Sequence, residues 1–333
     1  MNHPAFLTSD EERVLARVDE MAEEMFDFLA HLIRIPTVNP PGENYAECAA
    51  FVEERLLSFG YEVTRFTAIE SLAHSARYPR VNVVGRFARC GPGRTLHVSA
   101  HVDVVPAGTG WTVEPFSGLI RERKIFGRGA AGAKAGLAAS LYAVEALRRT
   151  HVAFDGVIEV SATVDGESGG EAGMGYLVDA GVVRAGQTDH VLIATACGVE
   201  RLCFSPRHEP LRERLVEVPA EGSALVILPA AEVPMEIRLV RMMDRAIRSV
   251  LVRAPECVVG PASSECAHVE RSGVRECLLY GPGRFELARQ PDEHCHLEDV
   301  VAGCKVLALA LLRTLREDEG DSPTRIFRTE ATH

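Results

Sequence analysis

Apolar positions recur every three to four residues over 11–32 and again over 45–58, with acidic residues early in each stretch, and this spacing predicts two amphipathic helices. Gly60 ends the second, as a glycine just past a helix commonly does. The pattern then changes to short runs of β-branched and apolar residues bounded by turn residues. Residues 80–85, 95–99, 156–164 and 190–194 read as strands. Helical spacing returns over 135–149, 170–180, 234–252 and 300–315. Largely apolar strands interleaved with helices predict an α/β fold: a mostly parallel sheet flanked by helices on both faces. Open sheets of this kind take their ligands in loops beyond the carboxyl ends of the strands.

Those loops hold the candidate chemistry. His101 and Asp103 follow the strand that starts at 95, and after them come Val104-Val105-Pro106, Trp111 and Pro115-Phe116. A Gly127-Arg128-Gly129 turn leads into Ala130-Ala131-Gly132-Ala133-Lys134, where a helix begins. Asp165-Gly166-Glu167-Ser168 and the pair Gly169-Gly170 follow the strand at 156–164, and Thr195 closes the one at 190–194. Gly281-Pro282-Gly283 then precedes Ala288-Arg289-Gln290-Pro291-Asp292-Glu293. In this order, and with Leu32-Ile33-Arg34-Ile35-Pro36-Thr37 ahead of them, the motifs resemble the M20 family of zinc peptidases and N-acyl-amino-acid amidohydrolases over 25–205 and 235–315. The resemblance implies the M20 catalytic fold and a cleft for an amino-acid derivative.

It also implies a two-zinc site, which needs His nitrogen and carboxylate oxygen on both ions and a general base beside the metal-bound water. The motif positions answer that requirement poorly. Gly132 stands where the family has its metal-bridging carboxylate, and Gly166 where it has its base. Thr195 and Arg289 take the places of two further ligands, and Arg289 is a permanent cation. By the resemblance, one ion keeps only His101 and the other only Glu167, whereas stable zinc sites use three or four protein ligands. The expectation is that no metal and no other cofactor is held. His101, Asp103, Glu167 and Arg289 are the candidate catalytic cluster, with Asp103 orienting the imidazole. Arg128, Thr195 and Glu265 are candidate substrate contacts. Arg128 also suits a purely structural tie between loops, and Lys134 a solvated position at a helix start.

Between Thr195 and Arg289 the family inserts a lid or dimerisation domain of roughly 100 residues, itself a small domain. Here those two positions are 94 apart. The expectation is one M20-like α/β domain over 1–315, with 206–234 a short remnant in place of the lid and 316–333 a frayed tail. A cleft without its lid implies a second chain or self-association covering it.

Composition narrows the partners. With 333 residues, 47% of them hydrophobic, the chain can bury one large core, and it has no apolar run of membrane-spanning length. A net charge of −11 disfavours nucleic acid and anionic membrane. The first residues lack a secretion signal, and the nine dispersed cysteines read as free thiols, so the expected location is cytoplasmic. Cys197 and Cys203 read as buried apolar groups. Glu293-His294-Cys295-His296 offers zinc-type ligands, but the family begins a helix there and adjacent side chains diverge. Ser263-Ser264-Glu265-Cys266 reads as a turn near the substrate. Three functions fit these residues: a repurposed, metal-independent enzyme acting on an amino-acid derivative with a partner chain, by cyclisation or elimination in a biosynthetic pathway; a non-catalytic binding or scaffold subunit; and a weakly metal-dependent amidohydrolase.

Overall fold

The computed structural model describes residues 7–89, 91–205, 226–227, 233–259 and 264–316. Three helices open the chain, α1 (Ser9–Glu20), α2 (Ala22–Arg34) and α3 (Tyr45–Ser58). A capping box fixes the start of α1: the Thr8 hydroxyl accepts from the Glu11 amide, and the Glu11 carboxylate accepts from the Thr8 amide. The single helix expected over 11–32 is thus two, broken at the buried Met21, whose ψ of 3° ends α1. The break lets both helices pack on α4 (Ala133–Arg149) from different directions. The strands follow as β1 (Glu62–Thr67), β2 (Val81–Ala88), β3 (Thr95–His101), β4 (Leu119–Arg121), β5 (Lys124–Phe126), β6 (Val157–Thr163), β7 (His190–Ala194), β8 (Arg201–Phe204), β9 (Val226–Ile227), β10 (Glu256–Val259), β11 (Glu276–Tyr280) and β12 (His294–His296). The later helices are α5 (Tyr176–Asp179), α6 (Arg238–Leu251), α7 (Ser264–Arg271) and α8 (Leu297–Arg316).

Nine strands form one sheet in the order β1-β2-β6-β3-β7-β11-β8-β10-β9, and β12, β5 and β4 form a small antiparallel one. The centre of the large sheet, β6-β3-β7-β11, is parallel, and β1, β2 and β9 pair antiparallel at its flanks. Alternate residues feed two cores, as a strand period of two requires. Leu96, Val98, Ile158, Val160 and Leu192 share one core with α4, on which α8 packs, while Val191, Ile193, Cys203 and Leu279 share the other with Leu177 of α5 and Val269 of α7. The sheet is therefore covered on both faces.

Three local expectations fail for identifiable reasons. The helix expected over 170–180 is reduced to α5 and the turn before it, because Gly170 (φ 72°) and Gly173 (ψ −110°) leave the helical region. Residues 294–296 form strand β12 paired with β5, so the final helix starts at Leu297 and not at Glu293. Glu265 and Cys266 lie in α7 and not in a turn; Ser263 lies outside the described residues. Apart from 226–227 and 233–234, the 206–234 segment is also outside them, as is 317–333. Among the described residues no helix is long and apolar enough to cross a membrane. Eight described cysteines are free thiols, Cys197 and Cys203 among the buried ones.

Candidate functional site

His101 is the last residue of β3, and its cross-strand neighbour is Thr163 at the end of β6. Two residues on, Asp103 is buried and organises the next loop, accepting from the Gly166 and Glu167 amides at 2.9 Å each and from Asn39 Nδ2 at 3.1 Å. These amides open a one-turn helix over Gly166–Ser168, where a carboxylate belongs. His101 Nδ1 lies 3.0 Å from the Asp103 carbonyl and 3.2 Å from its carboxylate. Burial alone would lower the imidazole pKa. The hydrogen bond and charge of Asp103, with the charges of Glu265 and Glu167, outweigh it and hold the ring charged, with a pKa of about 10. The ring lies against Gly166, where an added Cβ would sit 2.4 Å from His101 Cγ. A side chain at 166 and the imidazole in this position exclude each other.

Glu167 projects from the same turn, and its carboxylate meets Arg289 Nη2 at 2.5 Å. The two side chains come from loops far apart in sequence, and they differ sharply in exposure, 10% for Glu167 and 64% for Arg289. Arg289 adopts a left-handed backbone (φ 65°), which is unfavourable for a residue with a Cβ. Its amide is held at 3.1 Å by Glu293. The buried Glu293 is the hub of this loop. It also accepts from the Gly129 and Ala131 amides at 3.0 Å and from Arg128 Nη1 at 2.7 Å. Burial still pushes its pKa up, against the pull of Arg128 and these amides.

Arg128 ties two loops together and also lines the cleft. Its side chain is 3% exposed, and besides Glu293 it donates to Ala107 O at 2.7 Å and Gln290 O at 3.1 Å, with Trp111 stacked 5.1 Å away. Lys134 is buried, contrary to a solvated helix start. Its Nζ donates to Leu32 O and Ile35 O at 2.8 Å, the free carbonyl end of α2, and burial lowers its pKa to about 8. Glu265 is also buried. It accepts from the Thr163 hydroxyl at 3.4 Å and reaches His101 through that strand neighbour, and it is not among the residues lining the cleft. Burial raises its pKa, partly offset by the His101 charge.

His101, Asp103, Gly132, Glu167, Thr195 and Arg289 all line one cleft of about 450 Å³ at the carboxyl ends of the central strands. Positions spread over nearly 190 residues of sequence thus meet in one place. The surroundings of Gly132 are open: a Cβ added there would have only Gly129 O near it, at 3.8 Å. Thr195 is half-buried and fixed through its amide to Tyr280 O at 3.1 Å. Sequence reasoning missed a buried line on the adjoining sheet face, Glu159 Oε2 to His97 Nδ1 and His97 Nε2 to Ser161 Oγ, both 2.9 Å. Polar residues at alternate positions of β3 and β6 were its signal. All three side chains are at most a tenth exposed, so no substrate reaches that serine as the structure stands.

A parallel-centred α/β sheet with a polar cleft at its strand ends, built from His-x-Asp, Gly-Arg-Gly and Gly-Pro-Gly loops, defines the class of the M20 metallopeptidase catalytic domains. The profile of peptidase family M20/M25/M40 matches residues 97–313, and the chain belongs to that family. A curated relative, N-formyl-4-amino-5-aminomethyl-2-methylpyrimidine deformylase from Halalkalibacterium halodurans, is 30% identical over 196 residues. That match spans 56% of this chain and 44% of the relative. Among solved structures, the di-peptidase Dug1p from Saccharomyces cerevisiae superposes with a TM-score of 0.76 at 14% identity, covering 94% of this chain and all of the other. Human carnosine dipeptidase 1 gives 0.70 at 13% identity, covering 92% and 99%. At these identities the two structures speak to the fold.

Proposed function

We propose that this chain is an M20-family protein whose cleft works on an amino-acid derivative without a zinc pair. The observation that carries the reading is the Glu167–Arg289 contact: two groups that the family resemblance assigns to one metal are bonded directly to each other. A guanidinium at that position brings a charge that repels a cation. The remaining donors do not fit a zinc pair either. Gly132 and Gly166 contribute none, and among the described residues no three His, Cys, Asp or Glu side chains are grouped so as to hold a metal ion.

In this reading His101, charged and oriented by Asp103, stabilises negative charge developing on the substrate or donates a proton to it. Glu167 accepts a proton, and Arg289 holds an anionic group. Cyclisation or elimination of an amino-acid derivative uses such groups and needs no metal-bound water. A partner chain, or a second copy, covers the cleft and excludes water from it. The relative in Halalkalibacterium is named a deformylase, and this favours a second reading, metal-dependent deformylation or deacylation. The two are separated by assaying release of formate and acetate from N-formyl and N-acetyl amino acids, with added zinc or cobalt and after chelation. We expect no metal-dependent release; turnover restored by metal would establish the second reading.

A further inference from the structure

The Glu167–Arg289 pair has the geometry of a contact made to be exchanged. Glu167 is nearly covered while the Arg289 side chain is 64% exposed, so the guanidinium lies over the carboxylate on its open side. Of the five guanidinium N–H donors, one nitrogen is bonded to Glu167, and among the described residues no other protein acceptor meets the Arg289 side chain. The backbone beneath is fixed: the Arg289 amide is bonded to the buried Glu293, which is tied in turn to Arg128, Gly129 and Ala131. The side chain is therefore the part free to move. An exposed ion pair of this kind is weakly held, whereas a carboxylate from a ligand can meet an arginine with two parallel hydrogen bonds.

We infer that the ligand's own carboxylate competes with Glu167 for Arg289, so that the pair acts as a latch: binding draws the guanidinium onto the ligand and frees Glu167 beside the His101 imidazole. The inference rests on the reading of the cleft as a site for amino-acid derivatives, and it assigns the substrate class more narrowly, to derivatives with a free carboxylate. It also makes Glu167 available as a base only when such a ligand is bound. An amide or ester of the same compound leaves the latch shut.

Two probes separate the latch from the wider reading. The first is acetate, titrated into wild type and Glu167→Gln while the Arg289 Nε–Hε resonance is followed by NMR. If Glu167 is an internal competitor, its neutral isostere binds acetate about fivefold more tightly than wild type, the fold-change expected when an exposed pair no longer competes. Arg289→Gln lacks this resonance and so assigns it in the spectra. A purely structural role for Glu167 predicts unchanged or weaker acetate binding in Glu167→Gln, and that result, or no response of Arg289 in either protein, overturns the latch. The second probe is a set of N-acetyl amino acids with their carboxamides, measured by calorimetry. We expect the acids to bind at least tenfold more tightly than the amides, and Arg289→Gln to abolish the difference. Equal binding of acids and amides overturns the assigned substrate class. If acetate behaves as expected but no N-acetyl compound binds, the latch stands and the reading of the cleft as an amino-acid-derivative site fails.

Discussion

Replacing Arg128 by Met is expected to be among the most destabilising single changes near the cleft. The Arg128 and Glu293 side chains are 3% and 2% exposed and 2.7 Å apart, so removal of the cation leaves a carboxylate buried without compensation. Breaking a buried pair from one side costs roughly 3–5 kcal/mol. Met also leaves Gln290 O without its donor, at about 1 kcal/mol or more, while Ala107 O keeps the Trp111 indole N–H. Part of the first cost is recovered because Glu293 keeps the amides of Gly129, Ala131 and Arg289 and is protonated more readily once Arg128 is gone. The net expectation is a loss of about 4 kcal/mol in urea unfolding, with a melting temperature lower by roughly 6 °C. Glu293→Gln alone should cost a similar amount. In the double variant Arg128→Met with Glu293→Gln the costs should fall short of their sum by about 2–3 kcal/mol, since neither charge is then stranded. Strict additivity, or a cost below about 1 kcal/mol for Arg128→Met, would refute the assignment of this pair as the tie between the two loops.

The same cycle on Glu167 and Arg289 should give a coupling of only about 1 kcal/mol, because the exposed guanidinium is solvated with or without its partner; urea unfolding of the four proteins checks it, and a coupling above about 3 kcal/mol would show a pair far more buried than this. His101, with a pKa held near 10, contributes stability that is complete below its ordinary value near 6.5 and declines as pH rises through 10. Lys134, lowered to about 8, acts in the opposite sense above that pH, so the clean interval is pH 6.5 to 8. Across it wild type should lose ~2 kcal/mol relative to His101→Gln, and parallel pH profiles would contradict the charged imidazole. In Asp103→Asn, ¹³C-histidine NMR should show the His101 titration moved down by roughly 2–3 pH units, and a midpoint still near 10 would remove Asp103 as the cause.

Much of the fold was legible because its strands are largely apolar runs bounded by turns and its helices amphipathic. The stretch from Tyr45 to Ser58 and the strand His190–Ala194 match their expected limits to the residue. What escaped was short or set by tertiary contact. Strand β12 has three residues and exists because β5 offers it an edge, and Met21 breaks a helix whose periodicity continues through it. The site divides in the same way. Motif order brings His101, Glu167 and Arg289 together on paper, and the cleft does so in space. Spacing along the chain says nothing of solvent, and the structure leaves the arginine of the 167 and 289 pair exposed. Lys134 misleads for the converse reason. A charged residue opening a helix is usually solvated, but here the carbonyls at the end of α2 stand over it.

The central claim is that an ion pair occupies the place where the family resemblance assigns a metal, and zinc binding tests it most directly. Protein purified without chelator and dialysed against a modest excess of zinc should carry well under one zinc per chain by elemental analysis, and calorimetric titration should show no saturable site that depends on Glu167. One or two zinc ions per chain, retained through dialysis and lost in both His101→Gln and Glu167→Gln, would contradict the account.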